Sequence, residues 1–231
     1  MSRKSLKEEI ANVREDAAAL GELKLEEVRI LVRGITPYLS HRFSAKARKQ
    51  MRNTIVQTPS VEGREAGDPE KDFKESMYIA RDGGWSGIPV TSFKKAAAES
   101  VPGLKMPALK KKWIMGSFFL RGSPEIENGD SITRIYSPEP RMREDVVRLS
   151  GIGRPASLRW RAEFSDWWTI LDMEVNVALF KIPTIASVIN FSGFTQGIGE
   201  WRPERGGQHG MFRVATEADK REFENLYGVE V

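Results

Sequence analysis

Six glycines, Gly193, Gly197, Gly199, Gly206, Gly207 and Gly210, fall between an apolar stretch that ends near Phe191 and a short closing stretch at 210–214. Glycine reaches positive φ without strain and lets the backbone approach its neighbours closely. The segment must therefore turn repeatedly, and it predicts a loop between a helix and a strand. That order excludes a dinucleotide fold, in which strand, glycines and helix follow one another. No Gly-Lys-Ser or Gly-Lys-Thr closes the segment, so a Walker-type phosphate loop is excluded too. The glycines are interleaved with Arg202, Arg205 and Arg213 and with Phe194 and Trp201. Two readings stand: a loop that needs many tight turns, or one whose amides form an anion-binding nest with an aromatic for stacking.

The rest of the chain alternates strands and helices without a regular βαβ rhythm. Strands are expected at 28–33, 77–80, 117–120, 131–136, 158–164, 169–179 and 210–214. Helices are expected at 44–52, short and basic, at 91–100, capped by Thr91 or Ser92, and at 107–115, 182–191 and 217–226. In 158–164, Leu158, Trp160 and Ala162 alternate with Arg159, Arg161 and Glu163, which predicts a half-buried strand with an arginine-bearing face. The fold class is α+β with a mostly antiparallel sheet. Residues 1–24 read as a polar helical extension on which Ile10, Val13, Ala17 and Leu20 form a narrow stripe. Residues 25–231 read as one domain with loop insertions near 53–75 and 121–157. With 40% hydrophobic residues in 231, the chain has the material for a sizeable core.

Several functions are excluded by what the sequence lacks. It has no cysteine and two histidines, His41 and His209, so thiolate zinc sites and His-rich metal centres are not expected, and no cofactor is. No apolar run approaches the roughly 18 residues of a membrane span. The N-terminus is charged and lacks the apolar core of a secretory signal. The expected location is the cytoplasm of a bacterial, archaeal or phage-infected cell, with no membrane partner.

The net charge is +4, and its distribution matters more than its size. Arg42, Lys46, Arg48, Lys49 and Arg52 occur with no acidic residue among them, and Lys46 and Lys49 share helical spacing. Ser92, Lys94 and Lys95 form a second cluster, and Lys110, Lys111 and Lys112 beside Trp113 a third. Arg141, Arg143, Arg148, Arg154, Arg159 and Arg161 form another. Each alone reads equally as a solvated basic face. Together with the aromatics they point to a groove for single-stranded nucleic acid. Candidate binding residues are Arg42, Lys46, Lys49, Arg52, Ser92, Lys94, Lys95, Arg159, Arg161, Gly197, Gly199, Trp201, Arg202, Arg205 and Arg213. For catalysis, the weak candidates are His41 and His209, either of which could serve as a general base. The carboxylates are scattered and form no metal pair.

Three stretches carry a resemblance: 28–43 (VRILVRGITPYLSHRF), 88–96 (IPVTSFKKA) and 193–212 (GFTQGIGEWRPERGGQHGMF). They resemble the RAMP superfamily, the RRM-like backbone-subunit proteins of CRISPR effector complexes. A phage-encoded relative with a similar Trp-Arg-Pro glycine loop is the other likeness. The resemblance implies an RRM-like, ferredoxin-like antiparallel sheet with helices on one face and a glycine-rich loop before the last strand. It also implies an antiviral-defence role: binding single-stranded nucleic acid, RNA ahead of DNA, and polymerising with copies of itself or with other CRISPR-type subunits into a filament. Two alternatives remain: a metal-independent endoribonuclease using His41, and a phage protein that mimics or binds a host complex.

Overall fold

A computed structural model describes residues 23–42, 48, 68–107, 109–127, 129–148 and 156–231. The N-terminal extension up to residue 22, the basic helix expected at 44–52 apart from Arg48, and most of the insertion at 53–75 lie outside the described residues. In chain order the strands are β1 (Leu25–Gly34), β2 (Tyr38–Leu39), β3 (Tyr78–Ile79), β4 (Ser86–Pro89), β5 (Phe118–Leu120), β6 (Ser123–Pro124), β7 (Ser131–Arg134), β8 (Arg141–Arg148), β9 (Ala156–Phe164), β10 (Trp168–Asn176) and β11 (Phe212–Val214). The helices are α1 (Pro69–Glu75), α2 (Val90–Ser100), α3 (Lys111–Ser117), α4 (Ile182–Thr195) and α5 (Glu217–Tyr227).

β1 alternates with a period of two. Val28, Ile30 and Val32 belong to the main core, and Leu31 to a smaller core on the opposite face. β10 mirrors it, with Leu171, Met173 and Val175 inward and Trp168 and Ile170 outward. The two strands pair antiparallel along their lengths, from Leu25 opposite Asn176 to Arg33 opposite Trp168. β11 adds on the free side of β1 and β5 on that of β10, so the sheet runs β11-β1-β10-β5, all antiparallel. α2 lies between β1 and β5 in the chain, and α4 between β10 and β11. Both helices pack on the inward face through Val90, Phe93, Ala97, Ile185, Val188 and Ile189. Phe93 meets Phe212 edge-on at 5.3 Å. Two further antiparallel sheets, β2-β9-β8 and β3-β4-β7-β6, complete a mixed α+β fold.

α5 covers the outward face, with Phe223 buried against Leu31, Trp168 and Ile170. Its start is a capping box: the Thr216 hydroxyl accepts from the Asp219 amide, and the Asp219 carboxylate accepts from the Thr216 amide. Asp219 also accepts from Arg33 at 2.7 Å and from both terminal nitrogens of Arg213. The Arg213 guanidinium, helped by Thr216 and Arg33, holds the Asp219 carboxyl far below the usual carboxylate range.

Four local expectations are corrected. α2 begins at Val90 after an extended Pro89, so Thr91 and Ser92 sit inside its first turn and neither caps it. Residues 69–75, expected as loop, form α1, which has Asp68 as its cap, a proline in its first turn, and Glu70 and Asp72 beside it. Residues 141–148, expected within a loop insertion, form β8, because the stretch pairs with β9 residue for residue. Helix α3 also starts later than expected, at Lys111, after an extended Lys110.

Ser76, just past α1, joins distant parts of the chain. Its carbonyl accepts from the Ser40 hydroxyl at 2.7 Å and from the Arg42 amide at 3.1 Å, and its hydroxyl accepts from the Ala162 amide at 2.9 Å. Among the described residues no helix is long and apolar enough to cross a membrane.

Candidate nucleic-acid interface

β8 and β9 form an antiparallel ribbon in which Arg141 faces Glu163, Arg143 faces Arg161 and Asp145 faces Arg159. These six side chains share one face, because residues two apart on a strand point the same way. Met142, Glu144, Val146, Leu158 and Trp160 take the other face, where the Trp160 indole donates to Glu144 at 2.8 Å. On the charged face Arg141 and Arg143 both bond the buried Glu163, at 2.6 and 2.9 Å, and Arg143 donates to Asp145 at 2.8 Å. Arg161 is buried and reaches Asp145 at 3.4 Å, while its Nε has no hydrogen-bond partner among the described residues. Burial pulls the Arg161 guanidinium below its ordinary pKa. Arg159 is exposed and makes no hydrogen bond or ion pair among the described residues. Arg141, Arg143 and Arg161 thus share two carboxylates, and Arg159 adds a fourth cation to the face.

The glycine-rich segment 196–211 lies against this ribbon and against β2. The Glu200 amide donates to Leu39 at 3.1 Å and the Gly210 amide to Pro37 at 2.8 Å. Gly199 has φ +76, and a Cβ there would stand 2.5 Å from the Leu39 carbonyl oxygen. Gly210 has φ +66, and its Cβ would meet the Ile198 oxygen at 1.8 Å. These glycines therefore serve close backbone approach. The amides of Ile198, Glu200, His209 and Gly210 all bond carbonyls, so they are not free to form the anion-binding nest that the sequence offered as a reading. Instead the loop displays side chains. Trp201 is exposed and adopts φ 55, a left-handed conformation that costs a bulky residue about 1–2 kcal/mol. Backbone strain of this kind gathers at functional positions. Arg205 is exposed beside Glu204, and Arg202 holds the loop by donating to Gly199 at 2.9 Å.

The two histidines complete this surface. The His209 amide donates to the Trp201 carbonyl at 2.9 Å, and its Nε2 lies 3.3 Å from Arg143 Nη1. The loop and the ribbon are joined through that contact. Burial, with Arg143 next to it, pushes the His209 imidazole below its usual pKa. Burial does the same to His41, assisted by Arg161 and Arg159 and opposed by Glu200. Both rings therefore favour the neutral form at pH 7 in a cationic setting. The surface can bind phosphodiester oxygens through fixed guanidinium groups and can stack a base on Trp201.

The other expected residues lie elsewhere. Arg42 is buried and pairs with Glu125 at 2.9 Å and Glu127 at 2.6 Å. Lys46, Lys49 and Arg52 lie outside the described residues. Ser92, Lys94 and Lys95 border a groove between α2 and α3, with Lys94 5.8 Å from the Phe118 ring. Arg213 belongs to the Asp219 junction. Arg143, named in the arginine cluster but not among the candidate binding residues, links the two halves of the face; the two Arg-x-Arg stretches at 141–143 and 159–161 were its sequence signal. No group of three or more potential metal ligands occurs among the described residues.

No protein-family model and no curated protein matches the sequence. Solved structures do. A chain of the type III-B Cmr-beta complex, seen by cryo-EM bound to cognate target RNA, covers 94% of this chain at 9% identity and a TM-score of 0.40. This chain spans 66% of that one. The crystal structure of Cmr6 from Pyrococcus furiosus matches 84% of this chain and 100% of its own, at 8% identity and a TM-score of 0.40.

Proposed function

We propose that this chain binds single-stranded RNA on the face shared by β8, β9 and the glycine-rich loop, and assembles with copies of itself along the strand as a RAMP-type effector subunit. The observation that carries the reading is the junction itself. The Arg143–His209 contact brings an arginine-rich ribbon and a strained, exposed Trp201 onto one surface with more cations than carboxylates. Backbone neutralisation supplies affinity and stacking adds to it, with little sequence readout. The strand order supports the RRM-like form of the fold. In chain order β1, α2, β5, β10, α4 and β11 run β-α-β-β-α-β, and the sheet places the last strand beside the first.

The test is fluorescence polarisation with a labelled single-stranded RNA and its DNA counterpart, alongside nuclease-free purification and particle sizing. Submicromolar RNA binding that weakens steeply with salt, and long particles carrying protected RNA, are the expected results. A bare monomer without RNA affinity overturns the reading. A second reading, metal-independent RNA cleavage, is favoured by His41, a neutral imidazole facing Arg159, Arg161 and Glu200. Cleavage that His41→Ala abolishes would select it.

A further inference from the structure

A second concave site lies on the outward face of the main sheet, where it meets the sheet of β4 and β7. The cavity is about 320 Å³ and is lined by Arg29, Arg121, Arg134, Trp85, Tyr136 and Asp172 among others. That volume is at the lower end of the range for small-ligand pockets, about 300–1,000 Å³. Its floor is rigid. The Thr133 hydroxyl donates to the Ile170 carbonyl at 2.7 Å, and Tyr136 and Trp168 exchange amide-to-carbonyl bonds at 2.9 and 2.8 Å, so the two sheets are stitched beneath it.

The walls carry cations with unequal commitments. Arg121 is held by Glu27 and Glu174, which raise its pKa above the ordinary guanidinium value. Arg29 faces Asp172 across β1 and β10 at 3.0 Å, with both side chains about half exposed (52% and 50%). An exposed pair of that kind is worth roughly 0–1 kcal/mol, so a phosphate can displace Asp172 from Arg29 at little cost. Arg134 is exposed and lies 4.9 Å from the Tyr136 ring; it makes no ion pair among the described residues. Trp85 and Tyr136 are half-buried and line the cavity, and Tyr136 is held there by edge-on contacts with Phe223 and Tyr227. Two available guanidinium groups, two aromatic surfaces and one releasable carboxylate acceptor are the elements that recognise a phosphate, a planar ring and ring or sugar donors together.

We infer that this pocket binds a single nucleoside monophosphate, free or as the end of a strand, with its phosphate on Arg134 and Arg29 and its base against Trp85 and Tyr136. The site is separate from the β8–β9 face. The experiment is isothermal titration of the full chain with AMP, adenosine and inorganic phosphate. AMP should bind at concentrations of about 1 mM or below and at least about tenfold more tightly than either part. Arg134→Ala and Trp85→Phe should each weaken it at least about threefold. Arg134 is exposed, so its replacement leaves the fold intact, which a melting curve verifies. Arg159→Ala should leave AMP binding unchanged, which separates failure of this pocket from failure of the RNA face. Oligonucleotides with and without a 5′-phosphate distinguish the sources: tighter binding of the phosphorylated end assigns a strand terminus, and equal weak binding assigns the free nucleotide. Absence of AMP binding, or AMP binding that neither Arg134→Ala nor Trp85→Phe changes, overturns the assignment.

Discussion

Arginines gather at two places on this molecule, and their partners differ. At the start of α5, Arg33 and Arg213 meet Asp219 and Glu222, so two cations and two carboxylates balance. On the β8–β9 ribbon, Arg141, Arg143 and Arg161 share Asp145 and Glu163, and Arg159 lies on the same face with no ion pair among the described residues. The balanced cluster fastens a helix to a sheet. The unbalanced one is fixed in position by the same kind of bond but retains donors and positive potential for something outside the chain. Arginine count alone does not separate a fastening from an interface; the local ratio of charges does.

Asp219→Ala is the largest way to test that difference. It leaves Arg33 and Arg213 without their buried partner and removes the helix cap, and should cost about 3 kcal/mol in urea unfolding. RNA affinity of the folded protein should stay the same. If it falls with stability, the two clusters are not independent. Trp201→Gly comes next. It releases the left-handed strain, so stability should hold or rise, while RNA affinity falls about tenfold through lost stacking. Arg159→Ala should reduce RNA affinity about fivefold and the salt slope by about 0.7, with stability within about 0.5 kcal/mol of the parent. A stability loss as large as that of Asp219→Ala would put Arg159 in the fastening class.

The smallest expected effect is that of pH. His41 and His209 titrate below their usual range in the folded chain. As pH falls through about 6.5, the unfolded chain takes up protons that the folded chain refuses. Stability should therefore be fully present above pH 7 and decline as pH drops toward the folded pKa values. A bound phosphate favours the imidazolium, so RNA affinity should move the opposite way, rising about two- to threefold from pH 7.5 to 5.5. The double change His41→Gln/His209→Gln should flatten both curves.

The main sheet was legible because β1 and β10 obey simple alternation, and α4 and α5 because their apolar residues keep helical spacing. β8 was not, since it has no apolar face: Arg141, Arg143 and Asp145 alternate with Met142, Glu144 and Val146, and only the register with β9 makes the stretch a strand. α1 was obscured by its polarity, although Asp68 and Pro69 marked its start. At the site, alternation pointed to Arg159 and Arg161 on one face. It could not show that Arg161 is buried or that Arg42 is enclosed by Glu125 and Glu127, because those partners are remote in sequence. The glycine segment was recognised as unusual, but its amides face β2 and itself, which composition does not reveal.

The bond from the Arg42 amide to the Ser76 carbonyl holds side by side two points that are far apart in the chain. Closing the span between them costs only about 0.6 kcal/mol more for each doubling of its length. The sequence ahead of α1 can therefore change in length at little cost, whereas α1, whose Phe73 packs on the main core, has to stay. The seam at Arg42 and Ser76 is thus a grafting point, where a new recognition segment could be installed on an unchanged scaffold.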